Sequence, residues 1–210
     1  MQGQTAVCAL ILAAGLSRRM GEFKPLLPLR GKTLIENSVG SVLSGGADIA
    51  CVVTGYRAED VERTLSRAFG ARVCFVRNKA YAKTDMMHSI RLGTAALPLC
   101  DAFFLLPGDM PVVAQSTFKR LLDARKQEPA AIIFPTLDGY RKHPPLIDAR
   151  LRDEICSFSG EGGLREFWKT REGEIRTVPV DDAGVWVDVD TPTDYRRCRQ
   201  KYEHKNSKEV

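Results

Sequence analysis

The residues best equipped for chemistry fall in three short stretches of a 210-residue chain. The first, LILAAGLSRRMGEFKPLL (residues 10–27), runs from an apolar segment into a turn holding Gly15, Ser17, Arg19, Gly21 and Lys24. Glycines let backbone N–H groups converge on an anion, and fixed cations beside them suit phosphate. A plain strand-to-helix turn with solvated arginines is the alternative, because neither GxxxxGK[ST] nor GxGxxG is present. The second stretch, AFFLLPGDMP, places Asp109 just after a buried apolar run and a Pro-Gly turn. The third, VWVDVDTP, carries Asp188 and Asp190 in alternation, which on a strand points both carboxylates to one face. Like charges held together are costly unless a cation sits between or near them. Aspartates after Pro-Gly or before Thr-Pro also cap helices, so each has a structural alternative. No Ser/His/Asp or Cys/His arrangement for a covalent mechanism accompanies them.

Short apolar runs alternate with amphipathic stretches, the pattern of an α/β domain with a mostly parallel sheet flanked by helices. TAVCALIL, IACVVTG, ARVCFV and AFFLLP read as strands. AEDVERTLSRAF, MMHSIRLGTAAL and AQSTFKRLLDARKQ read as helices, and Thr33 caps another that ends at Gly45 and Gly46. Beyond them come AAIIFP, a turn at Asp138-Gly139, PPLI, a helix from Ala149, and the strands EIRTVPV and VWVDV. Thr191 then caps a last helix with Pro192 at its first position. With no repeat or linker, the expectation is one domain over residues 1–195 and a basic helix end or tail over 196–210. In an open sheet of this kind the loop after the first strand faces the ligand crevice.

Composition narrows the partners. A chain 44% hydrophobic and 27% charged is ordinary for a globular protein. Its net charge of +5 is concentrated at the end, where Arg196, Arg197, Arg199, Lys201, Lys205 and Lys208 face only Glu203 and Glu209. The body is nearly neutral and no aromatic-basic module surrounds the tail, so nucleic acid is not expected as a partner. The six cysteines are no closer in sequence than the 23 residues separating Cys51 from Cys74, and reduced thiols are expected. The apolar stretch Ala6–Leu16 is too short to span a bilayer, and Arg18 and Arg19 follow it, the reverse of signal-peptide order. A cytoplasmic protein with no membrane partner is the expectation.

LAAGLSRRMGEFKPLL resembles the LAAGxSxRMGxxK signature of the nucleotidyltransferases that activate small phosphorylated molecules. Within the molybdopterin nucleotidyltransferases it is most similar to the molybdenum cofactor cytidylyltransferase branch; the guanylyltransferase loop more often reads LAGG. The likeness continues in the family's order through LLPGDMP, HPPLI, SGEGGLREFW and DVDTPTDY, to about Tyr195. It implies a single-domain, Rossmann-like fold of the nucleotide-diphospho-sugar transferase type. It further implies Mg²⁺-dependent transfer of CMP from CTP to the terminal phosphate of molybdopterin, with pyrophosphate leaving. GTP, a sugar or alcohol phosphate as acceptor, and a non-catalytic cofactor-binding protein stay open beside it.

Carried over residue by residue, the resemblance implies nucleotide contacts at Leu12, Ala13, Ala14, Gly15, Ser17, Arg19, Gly21 and Lys24. Asn78, Ser89, Pro107 and Gly108 complete that set, and Arg19, Lys24 and Asp109 take catalytic roles. Asp109 and Asp190 hold the metal, while His143, Pro144, Gly163, Arg165 and Asp188 border the acceptor. Transient contact with a molybdoenzyme or its chaperone is implied as well. Three positions depart from the family pattern: Asp85 stands where glycine is usual, Lys142 replaces the glycine before His-Pro, and Glu161 replaces an aspartate.

Overall fold

The computed structural model describes residues 6–203. The chain begins with β1 (Val7–Ala13), whose VCALILA side chains are almost all buried. After the glycine-containing turn come a two-residue hairpin, β2 (Pro28–Leu29) and β3 (Lys32–Thr33), and then α1 (Leu34–Ser44). Thr33 starts α1 with a capping box: its hydroxyl accepts from the Glu36 N–H while the Glu36 carboxylate accepts from the Thr33 N–H at 2.7 Å. β4 (Ile49–Thr54), α2 (Ala58–Phe69), β5 (Val73–Arg77), α3 (Met86–Ala96) and β6 (Ala102–Pro107) follow. The second half holds α4 (Gln115–Gln127), β7 (Ile132–Leu137), β8 (Tyr140–Arg141) and β9 (Leu146–Asp148). It continues through α5 (Arg152–Ser157), α6 (Gly163–Thr170), β10 (Ile175–Pro179) and α7 (Pro192–Tyr202).

The main sheet runs β10-β7-β9-β6-β1-β4-β5, with β8 paired to β7. Its pairs are parallel except where β9 runs antiparallel to β6 and β7, and β8 to β7. Helices cover both faces, which is why the central strands read as unbroken apolar runs rather than alternating ones. Ala9, Ile11 and Ala13 pack with residues of α1, α2 and α4, whereas Cys8 and Leu10 pack with residues of α3, α5 and α6. From β1 the chain moves outward through α1 to β4; from β5 it returns through α3 to β6 on the other flank of β1. The carboxyl ends of β1 and β6 therefore part at a switch of winding direction, the place where sheets of this kind form a crevice.

A third apolar cluster joins the two ends of the chain. Met20, Leu27, Leu29 and Leu34 pack with Val189, Cys198 and Tyr202. The Tyr195 hydroxyl donates to the Pro28 carbonyl at 2.6 Å and Arg30 Nε donates to the Tyr202 carbonyl at 2.9 Å. α7 thus continues past residue 195 as a packed helix, capped at Thr191 as expected. Lys205 and Lys208 lie outside the described residues. All six cysteines are free thiols. Among the described residues no helix is long and apolar enough to cross a membrane.

One expected strand does not form. VWVDV is a 3-10 turn, Ala183–Trp186, followed by an extended segment outside the sheet. The turn is fixed by the Asp182 carboxylate, which accepts from the Gly184 N–H at 2.8 Å and from the Ala114 N–H and Thr117 hydroxyl at 2.7 Å. An added Cβ at Gly184 would lie 2.1 Å from the Val112 carbonyl oxygen, so this approach admits only glycine.

Candidate active site

The loop after β1 is folded by its own polar groups. Ser17 takes a left-handed backbone (φ 53°), its carbonyl accepts from the Met20 N–H at 2.9 Å, and its hydroxyl accepts from the Lys24 N–H at 3.2 Å. These contacts return the chain over the end of β1 and set Lys24 facing inward. From the neighbouring strand, Gly108 donates to the Leu12 carbonyl at 2.9 Å; a Cβ on it would press on that same carbonyl. Asp109 follows at once. The segment bearing Asp190 is tied alongside by the Val189 N–H, which donates to the Asp109 carbonyl at 3.1 Å while the Val189 side chain is buried.

These three approaches converge. Lys24 Nζ donates to Asp109 Oδ2 at 2.5 Å and to Asp190 Oδ1 at 3.1 Å, and Arg19 donates to Asp190 Oδ2 at 3.1 Å. Leu12, Ala13, Ala14, Gly15, Ser17, Arg19, Lys24, Ser89, Pro107, Gly108, Asp109 and Asp190 all line one cavity of about 350 Å³. Asp109 and Asp190 could hold a hard cation. The space between them already accommodates an ammonium, and two carboxylates with open positions left to substrate oxygens is the donor set Mg²⁺ uses. Among the described residues no cluster of three or more His, Cys, Asp or Glu forms a closed metal cage.

A second cavity of about 980 Å³ adjoins the first and shares Leu12, Arg19, Pro107, Asp109 and Asp190 with it. His143, Gly163, Arg165 and Asp188 line it. Asp188 stands at its rim; burial and the Asp109 and Asp190 charges push its carboxyl up to about 6 against the opposing pull of Lys24 and Lys142. Burial likewise lowers His143 below the ordinary imidazole range, and its Nδ1 is enclosed without a hydrogen-bond partner. One wall is aromatic: Phe134 and Trp168 meet edge to face at 5.6 Å.

Three expected residues lie off these linings. Gly21 (φ 76°) lines a separate surface hollow with Ser17 and Phe23, and Pro144, joined to His143 by a cis peptide, is buried. Asn78 is buried too: its amide donates to Ser89 Oγ at 3.0 Å and Thr84 Oγ1 at 3.1 Å, and its carbonyl accepts from the Ala80 N–H at 2.9 Å. Asn78 thus braces residues that line the cavity. Sequence reasoning missed Tyr81, Thr84 and Met86, which come from the β5–α3 connection and the first turn of α3. Asp85, in the usual place of a glycine, has an ordinary extended backbone (φ −85°) and caps α3 by accepting from the His88 N–H at 2.9 Å.

Known proteins are similar to this one across nearly the whole chain. The molybdenum cofactor cytidylyltransferase of Escherichia coli K12 is 26% identical over 94% of this chain and 98% of its own length. Nicotine blue oxidoreductase of Paenarthrobacter nicotinovorans is 31% identical over 88% of this chain and 92% of its own. Among solved structures, Rv0371c of Mycobacterium tuberculosis H37Rv superposes with a TM-score of 0.78 at 25% identity, covering 93% of this chain and 98% of that one. A further structure of Rv0371c is a complex with manganese. The model of the MobA-like NTP transferase domain matches residues 9–176, a span that takes in the Gly15 loop, Lys24 and Asp109, and the chain belongs to that family of nucleotidyltransferases.

Proposed function

We propose that this nucleotidyltransferase moves CMP from CTP to the terminal phosphate of molybdopterin and releases pyrophosphate. The observation that carries the reading is the Lys24 ammonium lying between Asp109 and Asp190 in the cavity that the Gly15 loop lines. In this reading an oxygen of the acceptor phosphate forms a bond to the α-phosphorus while the bond to the α–β bridging oxygen breaks. The electron pair leaves on pyrophosphate. Because the attacking oxygen is already anionic, no covalent residue or strong base is called for. The loop amides and Arg19 hold the outer phosphates, and Lys24 exchanges its contact with Asp109 for the charge that grows on the α-phosphoryl oxygens. Mg²⁺, held by Asp109 and Asp190, would neutralise charge on the phosphate oxygens; the manganese complex of Rv0371c supports a divalent ion.

CTP and molybdopterin are favoured by the LAAG form of the loop and by the similarity to the E. coli cytidylyltransferase. The same reading makes the protein cytoplasmic and gives its product to a molybdoenzyme or a chaperone of one. Purified protein with CTP, Mg²⁺ and molybdopterin should release pyrophosphate, GTP should serve poorly, and Asp109→Ala should be inactive. Preference for GTP would overturn the cytidylyl assignment, and full turnover by Asp109→Ala would overturn the metal assignment. The similarity to nicotine blue oxidoreductase favours a second reading, a redox reaction of nicotine blue at the same crevice with electrons exchanged with a nicotinamide cofactor supplied in solution. Conversion of nicotine blue coupled to change in the added nicotinamide cofactor, without pyrophosphate release from any triphosphate, would establish that reading instead.

A further inference from the structure

Five cations line the larger cavity, and three of them are neutralised by neighbours. Arg141 forms a two-point pair with Glu172 at 2.9 and 2.5 Å, Lys169 lies 3.0 Å from Glu166, and Arg19 lies 3.1 Å from Asp190. Lys142 and Arg165 differ: among the described residues neither has a carboxylate within ion-pair distance. What Lys142 has is an aromatic seat. Its Nζ lies 2.8 Å above the Trp186 ring centroid and 5.9 Å from that of Tyr140, and the two rings meet at 6.2 Å. Both rings are open to solvent, Tyr140 at 65% and Trp186 at 48% exposure. An indole face orients an ammonium without cancelling its charge, so the lysine is positioned while its hydrogen-bond donors stay available.

The location gives this unit a purpose. Lys142 belongs to the segment running from β8 to His143, and the Asp188 charge opposes the lowering of its affinity for protons that burial causes. It therefore stands between the exposed rings and the carboxylate side of the crevice, opposite in character to the Phe134–Trp168 wall. It is also one of the chain's departures from the family pattern, which has glycine before His-Pro, so the family's general chemistry does not require it.

We propose that Lys142, seated on Trp186, is the specificity-determining cation for the second substrate, and that this substrate is a phosphate monoester with an apolar or flat body lying against the Phe134–Trp168 wall. Arg165 supplies the second positive contact. The assignment rests on the nucleotidyl-transfer reading for its kinetic consequence, but its binding consequence stands apart from it.

Two measurements separate the cases. In the pyrophosphate-release assay, Lys142→Met and Lys142→Gly should raise the acceptor KM about 10- to 100-fold, the range of a charge-assisted hydrogen bond, with kcat changed far less. The CTP Kd, measured by calorimetry, should stay within about twofold, Lys142→Arg should recover most of the acceptor affinity, and Trp186→Leu should raise the acceptor KM several-fold. An unchanged acceptor KM in Lys142→Met, or an equal weakening of CTP, overturns the proposal; the latter would make Lys142 a nucleotide contact. If the wild-type protein releases no pyrophosphate at all, that failure belongs to the reading of the reaction. Direct titration with 1-naphthyl phosphate, with 1-naphthol as control, still decides the matter. Wild type should bind the phosphate in preference to the alcohol and Lys142→Met should lose that preference, whereas equal preference in both proteins overturns the assignment.

Discussion

The two cavities that meet at Asp109 and Asp190 solve opposite problems. In the smaller one the central charges satisfy each other: Lys24 bridges two carboxylates and Arg19 pairs with one of them. In the larger one two cations lack acidic partners among the described residues, and one wall is set by aromatic packing. The smaller site is therefore held in shape by contacts that a ligand must exchange, and the larger by contacts that a ligand leaves intact. Mutual charge pairing preorganises a site at the cost of competing with the substrate, whereas aromatic support orients a charge and leaves it free.

The strongest way to break this contrast is at Lys24. Lys24→Met should lower kcat by ~10²–10³-fold, about 3–4 kcal/mol of barrier, as expected for removal of one preorganised charge contact. Single-turnover pyrophosphate release would measure it. A loss in kcat of the same size from Lys142→Met would erase the distinction between the two sides. Gly55 offers the next test. A Cβ there would lie 2.6 Å from the Ala14 carbonyl oxygen and 2.8 Å from Tyr81 Cβ, and both residues line the smaller cavity. Gly55→Ala should destabilise the fold by about 1–3 kcal/mol and weaken CTP binding, while 1-naphthyl phosphate titrates as in wild type.

Asn78→Ala probes the support behind the same cavity. It leaves the Ala80 N–H and the Ser89 hydroxyl without their buried partner, at a cost of about 1–3 kcal/mol seen in urea unfolding. Asp188 gives the smallest effect. Its carboxyl is raised to about 6 from 3.8, so the folded state holds a proton that the unfolded state has released. The ionised form is the unfavourable one, and this group's contribution to stability declines as pH rises from about 4 through 6. Asp188→Asn removes that penalty. In metal-free buffer its Tm should exceed that of wild type at pH 8 and match it near pH 4, a gain of under ~1 kcal/mol because solvent at the cavity rim screens the charges.

The sequence conveyed what depends on local pattern. The α2 stretch AEDVERTLSRAF forms as read, and the caps at Thr33 and Thr191 lie where a hydroxyl precedes a periodic run. What it hid depends on distant partners. VWVDV has strand-like composition, yet it joins no sheet among the described residues and is tied instead by one hydrogen bond from the Val189 N–H to the Asp109 carbonyl. The β2–β3 hairpin is too short to register as alternation. The reversed direction of β9 follows from its connection to β8 and from the flanks it must join. At the site, ordered small and basic residues marked the Gly15 loop, but the inward turn of Asn78 and the seat of Lys142 on Trp186 arise from tertiary contacts that spacing does not encode.

The cluster that fastens α7 to the β2–β3 hairpin has a temporal meaning. Lys24 emerges early from the ribosome, but its partner Asp190 is anchored only once the helix reaching Tyr202 has been made and docked. A chain that stops before Asp190 therefore holds Lys24 and Asp109 but lacks the second carboxylate that shares the lysine.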